Sequence, residues 1–171
     1  MANIILAVIL FFNNELVSFL TNNDKQIDKT MENKNEIYFA GGCFWGTEHF
    51  LKQIHGVENT IVGYANGTIE NPTYEQVCSD DTGFAETVKV NYDPQVVKLD
   101  LLIDLFFKTI DPTSINRQGN DWGTQYRTGI YYTDEKDLPV IAAAVKELSK
   151  KYTKPVAVEI KPLSNFYKAE A

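Results

Sequence analysis

The sequence predicts an α+β fold, arranged as a two-layer sandwich with a ferredoxin-like core. Short apolar runs at 37–40, 60–64 and 129–132 are rich in β-branched or aromatic residues, which is typical of strands. The segment 85–92 alternates between apolar and polar residues, as a half-buried strand does. Apolar residues from 97 to 110 instead recur at helical spacing. Strands that are interrupted irregularly by helices favour this class over a doubly wound sheet.

The first elements are a strand at 37–40 and a helix that begins near Cys43. Gly41 and Gly42 lie between them and permit the tight turn from strand to helix. Backbone N–H groups at the start of a helix lack partners within it and carry partial positive charge, which favours a thiolate. Cys43 is therefore a candidate nucleophile, and a buried structural thiol is the alternative.

The middle of the chain contains two turns and a short helix. Asn66 and Gly67 form a turn signal after the second strand, and Thr73 is a candidate N-cap for a helix that follows Pro72. The helix predicted after Pro94 places a set of apolar residues on one face: Val97, Leu101, Leu102, Leu105, Phe106 and Ile110.

A polar segment, 113–125, follows Pro112 and shows no periodicity. It is long for a plain connection, so we expect a functional loop. After the strand at 129–132, a helix with apolar residues at 140–148 has Thr133 and Asp137 as competing caps. An alternating run at 156–160 predicts the last strand.

The composition excludes several classes of function. A net charge of −7 argues against a nucleic-acid surface, which needs clustered Lys and Arg. Cys43 and Cys78 are the two cysteines of the chain, so the sequence indicates no disulfide framework. Its two histidines, His49 and His55, are too few to favour a zinc site.

The N-terminal residues 1–35 predict a separate segment. Residues 4–12 form an apolar run that is shorter than a bilayer-spanning helix, and 13–35 form a polar tether. We expect an export or membrane-anchoring segment; a disordered leader or a swapped strand on a cytoplasmic protein is the alternative. The folded domain is predicted over 36–171.

Several ordered motifs resemble those of one family, the A-type peptide methionine sulfoxide reductases. The string Gly42-Cys43-Phe44-Trp45-Gly46, followed by Glu48, is similar to the family's active-site signature. Further blocks with the same resemblance lie at 63–67, 71–74, 77–79, 82–86, 111–113, 116–121 and 123–127, and the resemblance as a whole covers essentially residue 36 to the C-terminus. The family's α+β sandwich agrees with the fold that the residue pattern predicts.

The resemblance implies a substrate and a role for each site residue. The substrate is the S epimer of methionine sulfoxide, free or in proteins, and the reaction repairs oxidised protein. Cys43 is the expected nucleophile, which becomes a sulfenic acid, and Glu86 is the expected proton donor. The residues expected to assist are Tyr64 and Tyr126 as hydroxyl donors to the sulfoxide oxygen, Asp121 as an orienting carboxylate, and Phe44 with Trp45 as the niche for the substrate methyl group.

The resemblance also implies how the enzyme is recycled. We expect no bound cofactor and an external reductant, either thioredoxin or a small dithiol, which acts directly or through a partner domain. Cys78 is the one internal candidate for a resolving cysteine and is the second choice. A monomer is expected, and fusion to a B-type reductase is a hypothesis because the chain stops before the family's Tyr-His-Gln tail.

Phe84 departs from the family pattern, which usually has His before the Ala-Glu pair. Glu86 is still present, but a hydrogen bond from an imidazole at position 84 is not available.

Two other functions use the same residues. A generic thiol peroxidase or sulfenic-acid redox sensor would need an activated Cys43 without a methyl niche or a proton donor. A peptide-binding module would use the aromatic residues without the thiol.

Overall fold

The computed structural model describes residues 35–79 and 81–170 as a mixed α+β unit with one six-stranded sheet. The predicted apolar leader and nearly all of the polar tether lie outside the described residues. Among the helices of the described part, none has the length and apolar character that crossing a membrane requires.

The described part of the chain contains a main sheet, a two-stranded ribbon, four α-helices and three short 3₁₀ helices. The strands of the main sheet are β1 (Asn35–Gly41), β2 (Val57–Ala65), β3 (Ala85–Tyr92), β6 (Thr128–Tyr132), β7 (Glu159–Pro162) and β8 (Phe166–Lys168). A two-stranded ribbon is formed by β4 (Arg117–Gln118) and β5 (Asp121–Trp122). The α-helices are α1 (Phe44–Leu51), α2 (Tyr74–Cys78), α3 (Leu99–Phe106) and α4 (Leu138–Ser149). Short 3₁₀ helices span Phe107–Thr109, Thr124–Tyr126 and Glu135–Asp137.

The main sheet has the strand order β7-β6-β1-β3-β2-β8. Its neighbours pair antiparallel from β6 to β8, and only β7 runs parallel to its neighbour β6. β1 and β3 are therefore central strands, and the catalytic candidates that follow β1 or lie on β3 come from the interior of the sheet.

All four helices pack on one face of this sheet. The largest core cluster combines sheet residues such as Ile37 and Val88 with Leu51 of α1, Leu102 of α3 and Ile141 of α4. A smaller cluster on the other face contains Tyr38, Ala40, Ala65, Ala85 and Tyr131, with Leu163 and Phe166 against it. β1 alternates between the two clusters, as the twofold repeat of a strand requires.

The cap predicted for α2 is confirmed. Thr73 Oγ1 accepts a hydrogen bond from the Gln76 amide at 3.3 Å, and Gln76 Oε1 accepts one from the Thr73 amide at 2.9 Å. This reciprocal capping box stabilises a helix of only five residues.

Neither cap predicted for α4 provides a side-chain capping bond. Asp134 instead accepts a hydrogen bond from the Lys136 amide at 2.9 Å and starts the preceding 3₁₀ turn. Thr133 donates to Glu36. Asp137 takes the N-cap position of α4 without a side-chain bond.

Two predictions in the apolar pattern are wrong. The strand predicted at 156–160 is β7 at Glu159–Pro162, because only that part runs beside β6. Leu101 is 51 % exposed, whereas Ile103 is fully buried, so the inward face of α3 is rotated from the predicted one. The three residues of β8 are too few to give a pattern in the sequence.

Candidate active site

The turn from β1 into α1 places Cys43 at the N-cap of the helix. Gly42 has φ +83°, and a Cβ at this position would lie 2.5 Å from Cβ of Gln118. Glycine is therefore required at position 42, where the segment that contains Gln118 passes over the turn from β1 into α1. The predicted role of the second glycine is confirmed.

Cys43 is partly exposed, and its side chain makes no capping bond to α1. Its carbonyl accepts from the Thr47 amide at 3.3 Å, so the backbone is fixed while the thiol stays available.

Glu86 lies on β3 and is 1 % exposed. One carboxyl oxygen, Oε2, accepts a hydrogen bond from the Phe44 amide at 3.0 Å, which ties it to the residue after Cys43. Burial raises the pKa of Glu86 to about 7; the Phe44 hydrogen bond opposes the rise and the charge of Asp121 adds to it. A substantial fraction of this carboxyl is therefore protonated at neutral pH.

Tyr64 pairs directly with Glu86 across β2 and β3, so both side chains lie on the same face. The Tyr64 ring packs against Phe44, with a centroid separation of 6.0 Å. Its hydroxyl donates to Oε2 of Glu170 at 3.2 Å. Burial, followed by the charge of Glu170, raises the pKa of Tyr64 well above its usual range.

Tyr126 ends the 3₁₀ helix Thr124–Tyr126, and its hydroxyl is hydrogen bonded to that of Tyr74. Burial raises the pKa of Tyr126, whereas the neighbouring Tyr74 hydroxyl lowers it. Cys78 lies close enough to Tyr74 to contribute to raising the pKa of that hydroxyl. The structure thus brings Cys78 to the tyrosines of the site.

Asp121 lies on β5, where it pairs with Gln118 of β4. It is half-buried, and its charge contributes to raising the pKa of both Glu86 and Tyr126. The predicted carboxylate is therefore close to the predicted acid and to one predicted hydroxyl donor. The ribbon of β4 and β5 explains why the segment 113–125 shows no simple period.

Phe44 and Trp45 line a pocket of about 510 Å³. The remaining lining residues are Tyr64, Tyr74, Ala169 and Glu170. Phe44 is buried and forms an inner wall, whereas Trp45 is 69 % exposed and stands at the edge. Sequence reasoning missed Tyr74 and Glu170 as site residues; Tyr74 lies in a matched motif, but no pattern marks Glu170.

Phe84 fills the position where the family usually has histidine, and it is buried. Its ring packs edge-on against Tyr167, and Gly67 lies directly against it. The Phe84 carbonyl accepts from Nη1 of Arg127 at 3.0 Å. Phe84 therefore contributes core packing directly before the strand that carries Glu86.

Within 35–79 and 81–170 no group of three His, Cys, Asp or Glu residues is arranged to hold a metal ion. Glu86, which is tied to the residue after Cys43, has Asp121, Tyr64 and Tyr126 as its polar neighbours, and Tyr74 lies next to Tyr126. This set can donate protons and hydrogen bonds to an oxygen that gains charge beside a sulfur nucleophile.

The sequence model of the family described as peptide methionine sulfoxide reductase matches residues 35–171. The chain belongs to this family. Its activity is the thiol-dependent reduction of methionine sulfoxide, which repairs oxidised protein.

Named relatives match most of the length of this reductase in sequence or in structure. The "Peptide methionine sulfoxide reductase MsrA" of Lachnoclostridium phytofermentans is 58 % identical over 134 residues, which are 78 % of this chain and 81 % of the relative. The crystal structure of reduced Mxr1 from Saccharomyces cerevisiae matches with a TM-score of 0.77 and 41 % identity, covering 81 % of each chain. Mxr1 in complex with Trx2 matches with a TM-score of 0.61 and 32 % identity, covering 81 % of this chain and 83 % of that one.

Proposed function

We propose that this reductase acts on the S epimer of methionine sulfoxide, with Cys43 as nucleophile and Glu86 as proton donor. The observation that carries this assignment is the hydrogen bond from the Phe44 amide to Glu86. It connects a buried carboxyl to the residue next to Cys43, and burial keeps part of that carboxyl protonated at neutral pH.

The proposed reaction moves one oxygen atom from the substrate to the enzyme. The Cys43 thiolate attacks the sulfoxide sulfur while Glu86 delivers a proton to the sulfoxide oxygen. The hydroxyl group then passes from the substrate sulfur to the Cys43 sulfur as the new S–S bond and the substrate S–O bond break, so that methionine leaves and Cys43 becomes a sulfenic acid. The sulfoxide is thereby reduced by two electrons, and the thiol is oxidised by two.

The surrounding residues have separate proposed roles. Tyr126 lies near Glu86 and donates its hydroxyl proton to the sulfoxide oxygen. Tyr64 donates to Glu170 and must leave that partner before it can donate to the substrate. Asp121 orients the site through its charge, and Phe44 with Trp45 receives the substrate methyl group.

Recycling is proposed to need an external thiol, thioredoxin or a small dithiol, and no bound cofactor. The Mxr1 complex with Trx2 supports such a partner. Cys78 is the alternative: its thiol would condense with the Cys43 sulfenic acid to give a disulfide and water. Its place beside Tyr74 favours testing it. A Cys78→Ser variant that still turns over with dithiol but no longer forms an internal disulfide would identify Cys78 as resolving.

Finer points of architecture and context are also proposals. The order β6-β1-β3-β2, all antiparallel, with α1 and α3 as crossovers on one face, supports a two-layer, ferredoxin-like core. We propose a monomer that is exported or anchored through the apolar run at 4–12, with fusion to a B-type domain as a further hypothesis.

The assignment is tested with separated sulfoxide epimers and a small dithiol. We expect turnover of the S epimer alone, and loss of that turnover in a Cys43→Ser variant that unfolds at the wild-type temperature. Reduction of both epimers at similar rates, or activity in the serine variant, would overturn the proposal. Equal rates on hydrogen peroxide would instead favour a generic thiol peroxidase.

A further inference from the structure

Glu170 contributes a fixed carboxylate to the wall of the pocket. The chain leaves β8 and is held to β2 by a hydrogen bond from the Ala169 amide to the Val62 carbonyl at 3.0 Å. The two carboxylate oxygens then accept from the Tyr64 hydroxyl and the Tyr74 amide, each at 3.2 Å. Two donors on separate elements therefore set the direction of this carboxylate.

This carboxylate is oriented but not neutralised. Glu170 is exposed, and no Lys, Arg or His among the described residues forms an ion pair with it. Lys168, a neighbour in sequence, lines an adjoining pocket together with Glu170, Phe44 and Trp45, but it is not among the ion pairs formed between described residues. Within 35–79 and 81–170, the Glu170 carboxylate at the wall of the pocket therefore has no ion-pair partner.

We propose that Glu170 is a specificity-determining residue that favours substrates with an ammonium or guanidinium group beside the methionine sulfoxide. The inference rests on the proposed function, since it takes this pocket as the substrate site. Attraction to the carboxylate brings the cation to the pocket edge, where the exposed face of Trp45 also attracts cations. The net charge of −7 acts in the same direction.

The expected preference is modest because the carboxylate is solvated. Exposed ion pairs of this kind correspond to roughly a twofold to fivefold difference in rate constants. The preference must also shrink as salt is added, because the interaction lies at the surface.

Two substrate series separate the sources of the cation. The first compares S-sulfoxide dipeptides, N-acetyl-Lys-Met(O)-amide against N-acetyl-Gln-Met(O)-amide, and tests a flanking side chain. The second compares Met(O)-amide with N-acetyl-Met(O)-amide and tests the α-ammonium group. Ratios of kcat/KM within each pair are read for wild type, Glu170→Gln and the matched control Glu135→Gln. Glu135 is an exposed glutamate that is not part of the pocket lining.

We expect wild type and Glu135→Gln to favour the cationic member of at least one pair by about twofold to fivefold, and Glu170→Gln to show a ratio near one. A preference for the cationic substrate that survives in Glu170→Gln, or equal rates on both members of each pair in wild type, would overturn the inference about Glu170. Either result would leave the proposed function intact. A wild-type preference that does not shrink as salt is added would also overturn the inference about Glu170, and this measurement does not require the variant to fold. If the wild-type protein reduced none of the S-sulfoxides, the proposed function itself would be wrong.

Discussion

Two glutamates near Phe44 have opposite electrostatic environments: Glu86 accepts a hydrogen bond from the Phe44 amide, and Glu170 lines a pocket with the Phe44 side chain. Glu86 is buried beneath Phe44, and burial raises its pKa to about 7. Glu170 is exposed, and hydrogen bonds from its own amide, from the Tyr74 amide and from the Tyr64 hydroxyl lower its pKa. The same side chain is thus an acid in the interior and a permanent anion at the edge.

The pKa values of Glu86 and Glu170 differ because of solvent access more than because of the number of hydrogen bonds. Glu86 also accepts an amide hydrogen bond, which stabilises the anion, yet burial outweighs it. Only Glu86 can therefore deliver a proton near neutral pH. Variants of both residues test whether Glu86 is a buried proton donor and Glu170 an exposed anion.

The largest expected effect is on turnover. We expect Glu86→Gln to slow kcat for the S-sulfoxide by about 10²- to 10⁴-fold, because an amide cannot release the proton. The amide oxygen can still accept from Phe44, so the turn should remain intact. Single-turnover kinetics at pH 7 would measure the loss.

Glu170→Gln is the comparison variant for that measurement. It changes the same side chain at the edge and should give a smaller, substrate-dependent change. Losses of similar size in the two variants would contradict the division.

The second expected effect is on stability. In the folded state the pKa of Glu86 is about 7, against about 4.5 for an ordinary glutamate. The folded chain therefore binds this proton more tightly, and its contribution to stability is full below pH 4.5 and declines as the pH rises toward 7. Above pH 7, Glu86→Gln should be more stable than wild type by about 3 kcal/mol.

Urea unfolding at pH 5 and pH 8 checks that sign. The advantage of the glutamine variant should grow with pH. A variant that is destabilised equally at both values would show that Glu86 is held as an anion.

A smaller effect is expected at the turn that carries the Phe44 amide to Glu86. Gly42→Ala should destabilise the protein by roughly 1–2 kcal/mol or more, because it forces a side chain into φ +83° and against Gln118. Gly46→Ala is the matched control, since its Cβ would meet no atom within 4 Å in the exposed face of α1. It should stabilise the helix by up to about 1 kcal/mol.

Thermal unfolding of both variants distinguishes these outcomes. Similar changes for the two substitutions would mean that Gly42 is not required to place Phe44 beside the carboxyl.

Local chemistry in the sequence was enough to predict where Cys43 and Glu86 lie, whereas the role of Glu86 as proton donor was implied by the resemblance to the reductase family. The glycine pair, the thiol at the start of a helix and the alternation around Val88 depend on neighbours in the chain. These features place Cys43 on the turn and Glu86 on the inward face of β3, and the structure agrees.

The edge of the pocket could not be predicted because it depends on distant contacts. Tyr64 and Glu170 are 106 residues apart, and β8, which delivers Glu170, has three residues. The parallel pairing of β7 with β6 likewise selects 159–162 over the alternating run at 156–160. Single carboxylates and very short strands leave no periodic pattern.

The most direct test is a carboxyl ¹³C NMR titration of the wild-type protein, with Glu86 assigned by its absence in Glu86→Gln. We expect Glu86 to titrate with a midpoint near pH 7, and kcat/KM to fall as the pH rises through the same value because the proton donor is lost. A Glu86 midpoint near 4.5 would contradict the account, since the carboxyl would then have no proton to give at neutral pH.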